Sequence, residues 1–188
     1  MGREVRRVPP NYDHPKVIRR NGQEGYQPMR DYTVQSRWEE WQKEYAEWLA
    51  GEHDRVIAKY GEADYPKSEP YRAFCKWSGE PPDPAYYRPD WPEESMTWFQ
   101  VWETVSEGTP VTPPFATEDE LIEYLVAYGD FWDQKRRAER AAGKYIGMNC
   151  DPWERKHAES FVRRGWAPSM MVTHTAEGVE IKTAKDGM

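Results

Sequence analysis

Met96–Tyr128 reads MTWFQVWETVSEGTPVTPPFATEDELIEYLVAY, and the fold turns on it. Met96–Val105 alternates with the period of a strand, Trp98 and Trp102 on one face and Phe99 and Val101 on the other. Apolar side chains on both faces predict an inner strand covered on both sides. Ser106–Pro110 supplies turn residues, and Val111 and Phe115 anchor the exit. Thr117 with Glu120 three residues later is the signature of a capping box. Leu121, Ile122, Tyr124, Leu125 and Tyr128 give the following helix its apolar side, and Gly129 stops it.

Upstream, Ser36 with Glu39 reads as the cap of a first long helix. Trp38, Trp41, Tyr45, Trp48 and Leu49 recur on its core stripe, with Gly51 as an interruption before Val56, Ile57 and Tyr60. Residues 61–95 carry seven prolines interleaved with aromatic rings. That composition predicts an irregular segment wrapped over the surface, with a short helix at Tyr71–Trp77. Downstream, Asp130 caps a helix over Phe131–Ala142, and Asp151-Pro152 reads as the start of another that ends at Arg164 before Gly165. Ser169–His174 and Val179–Thr183 form a terminal hairpin.

Near the N-terminus, Pro9, Pro10 and Pro15 exclude a helix. Val5 and Val8 fit an edge strand with the arginines facing solvent. The expected class is α+β: a small antiparallel sheet that includes Met96–Val105 and the terminal hairpin, packed by several helices around an aromatic-rich core. Residues 1–35 are expected as an extended basic arm, and residues 36–188 as a single domain.

Only 38% of the 188 residues are apolar and 31% are charged, a balance that leans toward disorder. Ten Trp and twelve Tyr oppose that, because each ring buries roughly 150–250 Å². The chain therefore reads as folded. It contains no 18-residue apolar run that would cross a bilayer, and MGREVRRVPP lacks the apolar region of a secretion signal. With only Cys75 and Cys150, a disulfide scaffold is not expected, and the reading is cytoplasmic.

Charge is segregated. Residues 1–30 sum to +4, residues 31–130 to −14 and residues 131–188 to +3. Pro89–Gln134 holds eleven Asp and Glu and nine aromatic residues, with no Lys or Arg. One consequence is internal neutralisation, the basic ends packing against the acidic centre. The other is an acidic aromatic surface for a basic partner, with Asp90, Glu93, Glu94, Glu107, Glu118 and Glu123 as its candidate residues. A first-turn position on the helix after Thr117 gives Glu118, Asp119 and Glu120 a local reason as well.

Nucleic acid is a second partner class, through Arg3, Arg6, Arg7, Arg19 and Arg20 on the arm. A pI near 5.3 argues against it. His14, His53, His157 and His174 are scattered, no metal-ligand spacing occurs, and no cofactor is expected. Cys75 beside Lys76 is the candidate for cysteine chemistry. The nucleophile-elbow, phosphate-loop and dinucleotide motifs are missing, so no catalytic residue is assigned.

Three segments, REVRRVPPNYDHP (3–15), ETVSEGTPVTPPFAT (103–117) and RGWAPSMMV (164–172), resemble a family of uncharacterised phage-encoded accessory proteins. The resemblance implies a gene expressed in an infected bacterial cell, where small proteins block host machinery such as CRISPR and other anti-phage defence complexes. It implies no fold and no catalytic residue. The leading expectation is a non-enzymatic inhibitor of a host protein or complex that acts through the acidic aromatic surface. The alternatives are a nucleic-acid-associated accessory protein and an enzyme with an unrecognised site.

Overall fold

The structure is a computed structural model. It describes residues 2–18, 20, 22–61, 69–104, 108–144, 146–147, 149–168, 170–175 and 178–183. In chain order the elements are β1 (Arg3–Val8), β2 (Lys16–Ile18), β3 (Glu24–Tyr26), α1 (Val34–Ala50), α2 (Asp54–Tyr60) and α3 (Pro70–Ser78). There follow β4 (Trp98–Glu103), β5 (Thr109–Pro110), α4 (Glu118–Tyr128), α5 (Phe131–Ala141), α6 (Arg155–Arg164), β6 (Trp166–Ala167), β7 (Met170–Thr175) and β8 (Gly178–Thr183). Contacts group the chain into two units, Met1–Met29 with Trp91–Met188, and Arg30–Asp90. The α+β class holds.

In the first unit, a four-stranded sheet has the order β5-β4-β1-β6. β4 is an inner strand, as its two apolar faces require, and pairs antiparallel with β1 from Arg3↔Glu103 to Val8↔Trp98. One face carries Val5, Phe99 and Val101 onto α4 and α6, where Leu121, Ile122, Leu125, Ala158, Phe161 and Val162 close the main core. Each fully buried Leu or Phe there stabilises by about 1.5–3 kcal/mol. The opposite face sends Val8 and Trp102 against Met29, flanked by Tyr12, Trp91 and Trp98.

The N-terminal segment departs from its expected role as an arm. β1 lies between β4 and β6, so it is an inner strand rather than an edge. Arg3 and Arg6 are buried rather than solvent-facing. Alternation explains why. Arg6 faces the same way as Trp102 and lies over its ring at 4.3 Å, a cation–π contact that tolerates burial. The terminal hairpin forms, Met170 pairing with Thr183 through Thr175 with Gly178, but it is a separate two-stranded sheet and not part of the main one. Val105, Ser106 and Glu107, at the end of the expected strand and in its turn, lie outside the described residues.

Helix limits shift where the chain is pulled into contacts that local sequence does not reveal. The capping box at Thr117 forms with Glu120, and a second joins Asp130 to Asp133 at the start of α5. α6 begins at Arg155, not at Pro152. Trp153 is drawn into the core, its backbone N–H donated to the Leu125 carbonyl at 3.1 Å, and the helix starts only after it.

The Arg30–Asp90 unit is built on rings. Trp41, Trp48, Val56 and Phe74 form its core. α3 occupies the place of the expected short helix. α1 begins at Val34 with Thr33 at its cap, one turn before Ser36, and Glu39 accepts from the Gln35 side chain instead of completing a box. Leu49, expected on the core stripe, is 57% exposed. Gly51 ends α1 in the left-handed conformation, at φ 77°.

Candidate functional site

Five of the eleven carboxylates in the acidic block, Glu103, Glu120, Glu123, Asp130 and Asp133, are engaged inside the first unit. Asp130 accepts from Arg3 Nε at 2.8 Å and Nη2 at 2.7 Å. Asp133 accepts from Trp153 Nε1 at 3.1 Å, and Glu103 accepts from Trp132 Nε1 at 3.0 Å and Thr109 Oγ1 at 2.7 Å. These three carboxylates are buried, and their hydrogen bonds offset the cost of taking charge out of water. Glu120 is held in its capping box. Glu123, one of the candidate partner contacts, forms an exposed two-pronged pair with Arg155 at 2.7 and 2.8 Å. That pair, hydrogen bond first, holds the Glu123 carboxyl below its usual range. Both basic ends thus fold back on the acidic centre, Arg3 onto Asp130 and Arg155 onto Glu123.

Four of the others share one end of the sheet. Phe99 and Phe115 bridge antiparallel, exchanging hydrogen bonds at 2.8 Å in each direction. The chain before Trp98 and the chain after Phe115 therefore leave the same end of the sheet. Glu93 and Glu94, on a single 3-10 turn, stand on the first, and Glu118 and Asp119, in the first turn of α4, on the second. Glu93, Glu94 and Asp119 are exposed and Glu118 half-buried. Among the described residues none of the four is in an ion pair. Arg7 stands at this end too, its guanidinium 4.0 Å from the Phe99 ring centre. Half-buried Trp91 packs edge-on against Tyr12 at 4.8 Å beside the 3-10 turn. Asp90 is exposed at the end of the other unit, and Glu107 lies outside the described residues.

The candidate nucleic-acid residues are not brought together as a basic surface. Arg3 is bound to Asp130. Arg6 binds Glu4 and the Met29 carbonyl, the latter at 2.8 Å, and leans on Trp102. Arg7 and Arg20 are exposed, and Arg19 lies outside the described residues. The cysteines are separate: Cys150 is fully buried, and half-buried Cys75 hydrogen-bonds the Tyr71 hydroxyl, which raises the tyrosine's pKa. Among the described residues no group of three or more His, Cys, Asp or Glu is placed to hold a metal ion, and no helix is long and apolar enough to cross a membrane.

Sequence reasoning passed over one further feature, in the Arg30–Asp90 unit. A cleft of about 590 Å³ is lined by Trp48, Lys59, Tyr60, Ala73, Lys76 and Trp77. A second, of about 450 Å³, shares Trp77 and contains Arg37, Glu40, Glu44 and Arg55. Trp77 reads from sequence only as an anchoring ring. The available signal was that Lys59 and Lys76 both fall in the last turns of short helices, α2 and α3.

Comparison with models of protein families, with curated proteins and with solved structures finds no match to this chain.

Proposed function

We propose that this chain is a non-enzymatic interaction protein that binds a basic surface on a host protein or complex. The observation that carries the reading is the set of carboxylates Glu93, Glu94, Glu118 and Asp119, in no ion pair among the described residues, at one end of the sheet next to the Trp91–Tyr12 ring pair. In the same acidic block Asp130 and Glu123 are paired with arginines, and Glu103 and Asp133 are buried with hydrogen-bond donors. Carboxylates without a counter-charge steer association with a basic groove, and a neighbouring ring pair supplies the anchoring area. Glu118 and Asp119 also favour the α4 dipole, which fixes where their charge sits without removing it from an incoming partner.

The resemblance to phage accessory proteins gives this surface its context: the inhibition of a defence effector, CRISPR-type or other, that handles nucleic acid in a basic groove. Occupying such a groove requires no catalysis. Burial of Arg3 and Arg6 weighs against the nucleic-acid alternative, because both guanidiniums are already engaged by carboxylates or carbonyls.

Affinity capture from infected bacterial cells tests the reading. The native chain is expected to retain a basic protein or complex that salt elutes, and Glu93→Lys/Glu94→Lys/Asp119→Lys is expected to lose it. Identical captures by the two chains would overturn the proposal, as would a capture holding no basic partner.

A further inference from the structure

The charge pattern of the Arg30–Asp90 unit singles out two lysines. Its arginines and Lys43 are engaged: Arg37 with Glu40, Lys43 with Glu47, Arg55 with Glu44, Arg72 with Glu69 and Arg88 with Asp31. Arg30 bonds the Tyr32 hydroxyl and lies over the Tyr87 ring. Among the described residues Lys59 and Lys76 pair with no carboxylate. The unit is rich in acids, and both unpaired lysines line one cleft.

The rest of the lining is mainly aromatic. Tyr60 and Trp77 meet edge to face at 5.7 Å, and Lys59 Nζ lies 4.9 Å from the Tyr60 ring centre and 4.8 Å from that of Trp77. Trp48 closes the wall at 6.5 Å from Trp77. Among the described residues no carboxylate lines this cleft, whereas the one across Trp77 holds its own acids and bases in pairs. Behind the wall, His53 is 2% exposed and packs edge-on against Trp48 and Trp77, which backs both rings with buried structure. The lysines also suit the C-terminal ends of α2 and α3 through the helix dipole. That effect acts on each helix separately and does not require the two cations to share one ring-walled cleft.

We infer that this cleft is a binding site for a nucleotide, the aromatic base lying against Trp77 and Tyr60 and the phosphate held between Lys59 and Lys76. Its volume falls within the range of small-ligand pockets, about 300–1,000 Å³. Stacking on aromatic rings combined with lysine contacts to phosphate is the chemistry that reads a base together with its backbone charge. A free mononucleotide and one residue of a single strand present the same groups. The site does not depend on the acidic end of the sheet, and the two proposals stand or fall separately.

The test titrates the full chain with adenosine monophosphate, adenosine, inorganic phosphate and a short oligothymidylate, read by tryptophan fluorescence and calorimetry. Saturable binding of the monophosphate is expected, with adenosine and phosphate each at least about tenfold weaker. Lys59→Gln/Lys76→Gln is expected to weaken the monophosphate at least about tenfold at low salt. Arg72→Gln, on α3 but outside the cleft, should leave its affinity unchanged. Circular dichroism checks that each variant is folded, and Lys76→Glu alone gives a second charge change if the double variant is not. Saturation by the oligonucleotide alone supports the same chemistry with a strand as its source. Equal affinity for adenosine and its monophosphate, equal affinity for phosphate and the monophosphate, no saturation by either nucleotide form, or insensitivity to the lysine variants each overturns the inference.

Discussion

Arg3 and Asp130 meet in a buried ion pair, with Nε and Nη2 of the guanidinium on the same carboxylate oxygen at 2.8 and 2.7 Å, across 127 positions of sequence. The contact ties the first strand to the cap of α5. Asp130 is also the residue whose other oxygen accepts the Asp133 N–H at 2.9 Å. One carboxylate therefore serves a helix cap and a tertiary pair together. Removing Arg3 alone leaves that carboxylate buried without its counter-charge. Arg3→Met should cost about 3–5 kcal/mol in urea unfolding. Arg3→Met/Asp130→Asn together should cost clearly less than the two single changes added, and strict additivity would show that the pair is not coupled.

The turn before that cap rests on a glycine. Gly129 has φ +67°, and a Cβ built there would lie 2.8 Å from both Asp133 Cβ and its Oδ2. Gly143 has nearly the same dihedral, φ +70°, with nothing within 4 Å. Gly143→Ala should cost only the left-handed backbone penalty, roughly 1–2 kcal/mol. Gly129 has ψ −174°, a backbone region essentially confined to glycine, and its Ala variant must also displace a buried carboxylate that holds the Trp153 indole, so its loss in thermal or urea unfolding should exceed that of Gly143→Ala. Equal losses would show that neither the steric contact nor the glycine-only backbone region adds a cost.

A hydroxyl completes the sheet where β5 stops. Thr112 is 1% exposed, and its Oγ1 accepts the Val101 N–H at 3.0 Å. Thr112→Val keeps the shape and removes the acceptor, leaving a buried amide unsatisfied at a cost of about 1–3 kcal/mol. Thr112→Ser retains the oxygen and should be milder. Denaturant midpoints that rank the two variants the other way would place the stabilisation in the methyl group.

These contacts mark the limit of what the sequence discloses. The inner strand at Trp98–Glu103 and the boxed helix after Thr117 are legible because alternation and capping are local patterns. Arg3 and Arg6 are not: a strand's period of two states which residues share a face, but not that a carboxylate or an indole waits there. The acidic block misleads for the same reason. Glu103, Asp130 and Asp133 look in composition like Glu93 and Glu94, yet tertiary partners bury the first three and leave the other two in solvent. Lys59 and Lys76 are 17 positions apart on separate helices, so no spacing rule joins them into one cleft.

His14 gives the fold a pH dependence. It is 3% exposed, its Nε2 donates to the Gln27 carbonyl at 2.7 Å, and its ring lies edge-on 4.7 Å from Trp102. Burial dominates and lowers its pKa from 6.5, with Arg6 acting in the same direction; the Gln27 bond and Asp13 oppose. In the window between the lowered value and 6.5 the unfolded chain binds a proton that the folded chain does not. Stability from this group is therefore complete above about pH 6.5, falls as pH drops through that window and levels below it. Urea midpoints across pH 4–8 should show a steeper acid-side decline for the native chain than for His14→Gln, and parallel curves would remove His14 as the source.

The surface carboxylates should behave in the opposite way to the buried ones, which separates folding from recognition. Glu93 and Glu94 are exposed, sit on a single 3-10 turn and enter no ion pair among the described residues. Glu93→Lys/Glu94→Lys should therefore leave the unfolding free energy within about 0.5 kcal/mol of the native value. Asp133 accepts the Trp153 indole and the Asp130 N–H in the interior. Asp133→Ala strips both donors of their acceptor and should cost several kcal/mol, at about 1–3 kcal/mol for each buried group left unsatisfied. Paired urea unfolding curves distinguish the two cases. If the double lysine variant unfolds as early as Asp133→Ala, the carboxylates at the end of the sheet hold the fold together and are not available as a recognition surface.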